Sequence, residues 1–305
     1  MTKKEKMVVT GGAGFVGSHL VDALLAAGKE VHVVDNYAGG KRSDRINSAA
    51  TYHEVDITNY DALLPILKDA VGVFHEAALP RVQFSIQQPL ETMNANVVGT
   101  ANVLVGAQKA GVRRVVCASS GSVYGDQEAM PYHEDLTPQP KSPYALHKHM
   151  LEQLCKLWSE VYGLQTVALR YFNVYGPRMD PDGAYALAIA KFIKQRQEGK
   201  PITIWGDGSH SRDFTHVRDI VRANVLAMES PLVGHGEVLN VGAGRNISVM
   251  ELATLLGGSV VHEAERLEPM HCRADTQKAK ALLGWEPQVK FEDGIAELKK
   301  LAGLT

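Results

Sequence analysis

The segment Thr10-Gly11-Gly12-Ala13-Gly14-Phe15-Val16-Gly17 restricts what this chain can fold into more than any other stretch. It follows directly on an apolar run at residues 6–10 (KMVVT) and opens a helical pattern over residues 14–27. Glycine at 11, 14 and 17 answers three demands of a strand-to-helix crossing that carries a pyrophosphate: a tight turn, close approach of backbone to phosphate, and close helix–strand contact. The amides at the start of the helix, those of Phe15 and Val16, then face the anion. A second apolar run, residues 30–35 (EVHVVD), ends on Asp35, 18 residues past Gly17. A carboxylate there accepts hydrogen bonds from adenosine ribose hydroxyls and repels a 2′-phosphate, so the pattern favours NAD over NADP. Lys41 and Arg42 lie nearby and weaken that preference a little.

Further β-branched runs at 71–76, 113–118 and 165–170 alternate with helical patterns. Near-continuous apolar strands separated by helices indicate a parallel sheet buried on both faces. Right-handed crossovers then give a doubly wound α/β fold of the Rossmann type. The expected division is a dinucleotide-binding domain over residues 1–171, rejoined by about 213–243. A smaller α/β domain, from 172–212 and 244–305, would bind the substrate. With 305 residues, 45% of them hydrophobic, the chain is long enough to bury such a core. A formal net charge of −2 gives no global basic field for nucleic acid or an anionic membrane. No apolar run reaches 18 residues, so no membrane span is expected. Cys117, Cys155 and Cys272, odd in number and widely spaced, match neither a disulfide framework nor a metal site and fit a reducing cytoplasm.

Tyr144-Ala-Leu-His-Lys148 carries the second signal. Ser142-Pro143 before it has the form of an N-cap with proline at the first helical position, predicting a helix from about 143 to 162. Tyr144 and Lys148 then share one face. A nearby ammonium favours the phenolate, so the expectation is a Tyr144 pKa lowered from about 10 toward neutrality, as a general base needs. Ser119–Ser122 follows the strand at 113–118, and ligands of doubly wound sheets sit at the carboxyl ends of strands. A hydroxyl there can hold the substrate oxygen whose proton Tyr144 removes.

The motifs TGGAGFVG, HEAA (75–78), N-x-x-G-T (96–100), SSGSVYGD, SPYALHK, LRYFNVYGPR (169–178), SRDFTHVRD (211–219) and GWEP (284–287) occur in one order across nearly the whole chain. As a set they resemble the extended short-chain dehydrogenase/reductase superfamily, in its NAD-dependent nucleotide-sugar epimerase/dehydratase branch. The likeness is closest to the UDP-glucose (UDP-galactose) 4-epimerases and the UDP-N-acetylglucosamine 4-epimerases. The resemblance implies an isomerase with tightly bound NAD, in which Ser120, Tyr144 and Lys148 are catalytic. It places Asp35 and Asn36 on the adenosine ribose and Asp56 and Ile57 beside the adenine. Ala77, Ala78, Asn94, Ser119 and Tyr171 would line the cofactor groove.

For the UDP-sugar it implies Asn173 at the sugar or diphosphate, Thr203 and Trp205 on the uracil strand, and Arg212 and Arg266 on the diphosphate, with Ser122 near the sugar. Arg81 would replace an arginine missing at the position of Phe84, and Cys272 would gate pocket size. The stretch from Arg266 to Asp275 is one residue short of the family pattern. A homodimer through a four-helix bundle, built from helices near 92–110 and 143–162, is also implied. Family dehydratases carry an acid pair where this chain has Gly121 and Ser122, and the decarboxylases a Glu in place of Ser122, so both chemistries lack their catalyst. UDP-glucuronate 4-epimerisation is the rival, with Arg178 as the cation near C6. A non-catalytic NAD-binding regulator is disfavoured by the retained Ser120, Tyr144 and Lys148.

Overall fold

The computed structural model describes residues 4–180, 188–264 and 271–304. Six strands, β1 (Lys6–Thr10), β2 (Glu30–Asp35), β3 (Thr51–Glu54), β4 (Gly72–His75), β5 (Arg114–Ser120) and β6 (Gln165–Tyr171), lie in one parallel sheet. The short strands β7 (Val174–Tyr175), β8 (Ile202–Trp205), β9 (Ser211–Asp213) and β10 (Thr215–His216) lie outside it. The chain then returns, and β11 (His235–Val241) joins the sheet beside β6. The resulting order is β11-β6-β5-β4-β1-β2-β3. Strand order reverses between β1 and β4, and the crevice at such a reversal is where doubly wound sheets take their ligands. The last short strands are β12 (Asn246–Ser248), paired with β9, and β13 (Val260–Glu263), paired with β8.

Sequence reasons for this order are direct. β1, β4 and β5 carry apolar residues through their middles and are buried at nearly every position, as strands covered on both faces must be. α1 (Phe15–Ala26) covers one face and packs on a core of Leu20, Leu24, Val33 and Phe74. α2 (Tyr60–Leu67), α3 (Val82–Gln87), α4 (Pro89–Met93), α5 (Gly99–Lys109) and α6 (Pro143–Tyr162) follow, and Leu63, Leu104, Leu151 and Cys155 fill the core on the other face. β5 runs to Ser120, two residues beyond the run read from the sequence, because its ladder with β6 continues to the pair Ser120–Tyr171. That extra length delivers Ser120 to the rim of the crevice.

The remaining helices are α7 (Ala188–Gln197), α8 (Val217–Glu229), α9 (Val249–Leu256), α10 (Gln277–Leu283) and α11 (Phe291–Leu301). α8 packs beside α1, whereas α7, α9 and α11 share a separate core of Phe192, Ile204, Leu252 and Ile295. Two buried carboxylates stitch the outlying segments together. Asp213 accepts amides from Ala243 (2.6 Å), Gly244 (3.0 Å) and Ala274 (2.9 Å). Asp219 accepts those of Gln288 and Val289, both at 3.0 Å. No helix among the described residues is long and apolar enough to cross a membrane.

Candidate active site

Gly11 leaves β1 with φ +71, a conformation that costs an L side chain about 1–2 kcal/mol. A Cβ there would also lie 2.6 Å from the Ala77 amide across the crevice, and one on Gly17 would lie 2.2 Å from the Gly11 carbonyl oxygen. The turn is therefore closed to side chains. α1 begins at Phe15 with no side-chain cap and no acid in its first turn. Its leading N–H groups and the dipole of its N-terminus are left for an anion. The residues present fit a dinucleotide pyrophosphate.

The carboxylate of Asp35 is fixed at the end of β2 by amides of Ala13 (2.9 Å) and Tyr37 (2.8 Å). Asn36 donates to Asp56 at 2.7 Å, and Asp56 also accepts the Thr58 amide at 2.8 Å. Ile57 lies against Gly99. Asp35, Asn36, Asp56 and Ile57 thus gather at one end of the crevice, with Ala77 and Ala78 along it after β4.

Two expected groove residues are placed otherwise. Asn94 is exposed, while Asn96, two residues on in a π turn (Asn94–Val98), is buried and bonds the Leu79 amide at 2.7 Å and its carbonyl at 3.2 Å. Two helical positions apart means nearly opposite faces, which is why the buried role falls to Asn96. Ser119 is also buried, but its hydroxyl is committed to Glu152 at 2.6 Å and turns away from the groove.

α6 starts where its sequence says. Ser142 caps the Ala145 amide at 3.2 Å, Pro143 takes the first position, and Tyr144 lies in the first turn. The Tyr144 amide donates to Ser85 at 3.0 Å. Lys148, one turn on, donates to the Ala118 carbonyl of β5 at 2.6 Å, and its Nζ is 5.9 Å from the centre of the Tyr144 ring. Ser120 ends β5 beside the phenol and interacts with it.

The electrostatics differ from the expectation. Burial pushes the Tyr144 phenol up to about 12 and the Lys148 ammonium down to about 8. Loss of hydration opposes both charges, and the ammonium is bonded to a carbonyl rather than to the phenol, so the lysine alone does not bring the tyrosine toward neutrality.

The substrate-side residues converge only in part. Asn173 sits just past β6 at φ +29, with its amide donating to the Asp213 carbonyl at 3.1 Å. Cys272 packs with Val123, Tyr124, Tyr132 and Phe172, directly under the turn that follows Ser120. Burial, then the Asp213 carboxylate, pushes its thiol up to about 12. Arg212 lies close enough to act on that thiol and bonds the Ser211 carbonyl at 3.0 Å. The Ser122 hydroxyl is buried and unpartnered among the described residues.

On β8, both the amide and the hydroxyl of Thr203 are engaged by Gln195 (3.2 and 2.8 Å). The Trp205 indole donates to Glu263 at 2.7 Å, with the Lys191 ammonium 4.0 Å from its ring centre. Arg81 precedes α3, half-buried and with no ion-pair partner among the described residues. Arg178 does not reach a sugar pocket: it pairs with Asp22 of α1 at 2.7 Å, which removes it as the cation for a hexuronate. Arg266 lies outside the described residues.

The profile of the "NAD dependent epimerase/dehydratase family" matches residues 7–242. The chain belongs to this family. UDP-glucose 4-epimerase of Mycolicibacterium smegmatis is 38% identical over 307 residues, covering 96% of both chains. UDP-glucuronate 4-epimerase of Thermodesulfobacterium geofontis is 37% identical over 308 residues, covering 94% of this chain and 93% of its own. The solved UDP-N-acetylglucosamine 4-epimerase of Methanobrevibacter ruminantium, in complex with UDP-N-acetylmuramic acid, superposes with a TM-score of 0.92 at 36% identity and covers 98% of each chain.

In this member of the epimerase/dehydratase family the sequence left one residue of the crevice without a role. Glu76, directly after β4, accepts a hydrogen bond from the Tyr171 hydroxyl at 2.8 Å, and that oxygen accepts one from Asn224 of α8 at 2.7 Å. Burial raises the Glu76 carboxyl to about 7. Its only signal in the sequence is a carboxylate at the end of the strand run at 71–76, within HEAA.

Proposed function

We propose that the protein is an NAD-dependent isomerase that inverts C4 of a UDP-hexose, UDP-glucose/UDP-galactose and the corresponding N-acetylhexosamine pair, through a 4-keto sugar. The observation that carries this reading is the meeting of Ser120, Tyr144 and Lys148 at the carboxyl end of β5, across the crevice from a glycine turn closed to side chains. Ser120 holds the 4-oxygen. Tyr144 takes the 4-OH proton as the carbonyl forms and returns it to the opposite epimer. Lys148 offsets the phenolate charge, aided by the positive N-terminal end of α6. NAD, when bound, supplies a hydride acceptor that is regenerated each turnover. The glycine turn with the amides of Phe15 and Val16 would hold its pyrophosphate, and Asp35 its adenosine ribose. Purified protein should release NAD on denaturation, and Asp35→Ala should weaken retention by about tenfold or more, the scale of hydrogen bonds to a charged group. Release of NADP would refute the Asp35 argument.

The sugar pocket supports a hexose. Cys272 is small beside the Ser120 turn, leaving room at C2, and the orphaned Ser122 hydroxyl suits a sugar hydroxyl or an acetamido group. A second reading, UDP-glucuronate, is supported by Arg81, a half-buried cation with no ion-pair partner among the described residues, and by the likeness to a UDP-glucuronate 4-epimerase. Incubation with UDP-galactose, UDP-N-acetylgalactosamine and UDP-glucuronate, with products separated by chromatography, decides between them. Conversion of UDP-glucuronate alone would overturn the hexose assignment.

A homodimer fits the surface. Met93 and Val98 within 92–110, and Leu146, Leu157 and Val161 of α6, are exposed apolar side chains on the two stretches expected to pair. A monomer mass in light scattering at micromolar concentration would exclude it.

A further inference from the structure

We propose that Glu76 is a positioning residue of the reaction: held at the carboxyl end of β4 by Tyr171, it sets the charge balance of the Tyr144–Lys148 pair. This rests on Tyr144 and Lys148 acting as described above. Glu76 continues the line of β4 into the crevice, its amide donating to the Thr10 carbonyl at 3.1 Å. Its side chain ends a directed chain. Asn224 donates to the Tyr171 oxygen at 2.7 Å and, with the same amide nitrogen, to the Ile220 carbonyl at 3.0 Å, so it can present only a donor to Tyr171. The Tyr171 proton must then point at Glu76, which it reaches at 2.8 Å. The carboxyl oxygen is fixed in place while no cation neutralises it by contact among the described residues.

The ionisable groups around this carboxyl come from every neighbouring element. α6 contributes Lys148 and Tyr144, β6 contributes Tyr171, and β5 contributes Cys117, which acts on both Tyr171 and Lys148. β4 itself contributes His75, which burial drives down to about 3 and which Thr10 (2.8 Å) and Thr100 (2.9 Å) hold between their hydroxyls. His75 is therefore neutral at working pH, and Tyr171 is pushed by burial well above the ordinary phenol range. Glu76 and Lys148 remain as the two groups whose charge changes near neutrality.

Each state of Glu76 has a defined effect. Ionised, it raises the Tyr144 phenol and supports the Lys148 ammonium. Neutral, it lets both fall. Replacing Glu76 by its uncharged isostere should therefore lower both titrations together, whereas a residue that only braces Tyr171 would leave both where they are.

The test compares the purified holoenzyme with Glu76→Gln, whose amide oxygen still accepts the Tyr171 bond. Tyrosinate absorbance near 295 nm is titrated in each and corrected with the matching Tyr144→Phe protein, which isolates the Tyr144 signal. The phenolate transition and the Lys148 limb of the kcat/KM profile should move to lower pH by about 0.5–1.5 units, the scale of one charge acting across a protein interior. Glu76→Asp should restore them toward the parent values.

Tyr171→Phe is the second variant. It removes the bond that steadies the carboxylate, favours neutral Glu76, and should shift the transition the same way. Unchanged transitions with reduced activity would overturn the proposal, as would a shift to higher pH. If Glu76→Gln does not fold, the Tyr171→Phe titration decides by the same criterion. The absorbance titration needs no substrate, so failure to turn over UDP-galactose would count against the hexose reading and leave the Glu76 test standing.

Discussion

Two polar clusters lie one turn apart on α6, and they handle buried charge in opposite ways. In the first, Tyr144, Lys148 and Glu76 have no contact ion pair among the described residues, and burial brings Glu76 up to about 7 and Lys148 down to about 8. In the second, Glu152 is 1% exposed and Arg170 3% exposed, yet their pairing is bidentate at 2.8 Å through Nε and Nη2 of the guanidinium. Ser119 adds a bond at 2.6 Å, and His149 approaches at 3.4 Å. Burial works against the Glu152 carboxylate, but Arg170, then His149 and Ser119, outweigh it and hold the group below the usual carboxylate range. Burial alone therefore does not make a reactive site. Buried charges in a bidentate ion pair stay charged and brace β5, β6 and α6, while Glu76 and Lys148, without such a pair, titrate near neutrality and can exchange protons.

The sharpest way to break this contrast is Tyr144→Phe. It removes the base of the unpaired cluster and should cut turnover by roughly 10²–10⁴-fold with NAD retained. Near-normal turnover would end the catalytic assignment. Next comes Glu152→Gln, which strands the Arg170 charge in the interior. The expected cost is about 3–5 kcal/mol, read as a lower urea midpoint, with the pH limbs of the remaining activity unmoved. Limbs that shift with this variant would mean the two clusters are one.

A smaller effect follows from the sign of the Glu152 shift. The folded protein holds this carboxylate below its unfolded value of about 4.3, so its stabilisation is complete above that pH and fades as pH falls through the lower folded value. The stability gap between the parent and Glu152→Gln should thus be full at pH 7 and narrow below about pH 4. A gap that is flat across acid pH would show that the paired charge is not its source. Smallest in energy is Cys272→Tyr, which touches neither cluster. It should suppress activity on the N-acetylhexosamine pair and spare the plain hexoses, with no change in pH limbs. A full N-acetyl rate would place residue 272 outside the pocket.

The parts of this molecule written in short-range pattern were readable in advance. β1, β2 and α6 lie at the residues that strand and helix periodicity and the Ser142-Pro143 cap indicate. β3 was not foreseen, because Thr51–Glu54 is a short edge strand with no buried position and so no apolar pattern. α8 carries no start or stop motif of that kind, although its buried positions, from Val217 through Ile220 and Asn224 to Met228, follow helical spacing. Within the site, the Gly turn, Asp35, Tyr144 and Lys148 are local motifs. Glu76 acquires meaning only through Tyr171, 95 residues away, and Ser119 loses its expected role only through Glu152, 33 residues away. The Tyr144 pKa departs from its expectation for the same reason: sequence shows the lysine at the next turn but not the depth of burial.

The three amides gathered by Asp213 bear on how such a chain can be re-engineered. Acceptor and donors together join three separate passes of the backbone: Asp213 at the end of β9, the segment after β11 that supplies the Ala243 and Gly244 amides, and the stretch at Ala274 that Tyr132 also grips. A sugar-recognition half imported from a relative as one contiguous cassette would bring some of these partners and not others. It would leave a buried carboxylate short of donors or buried amides short of an acceptor. Exchange of specificity between relatives is therefore expected to succeed by replacing single pocket side chains, or by transplanting residues 213, 243–244 and 274 in concert, and to fail at any crossover placed between them.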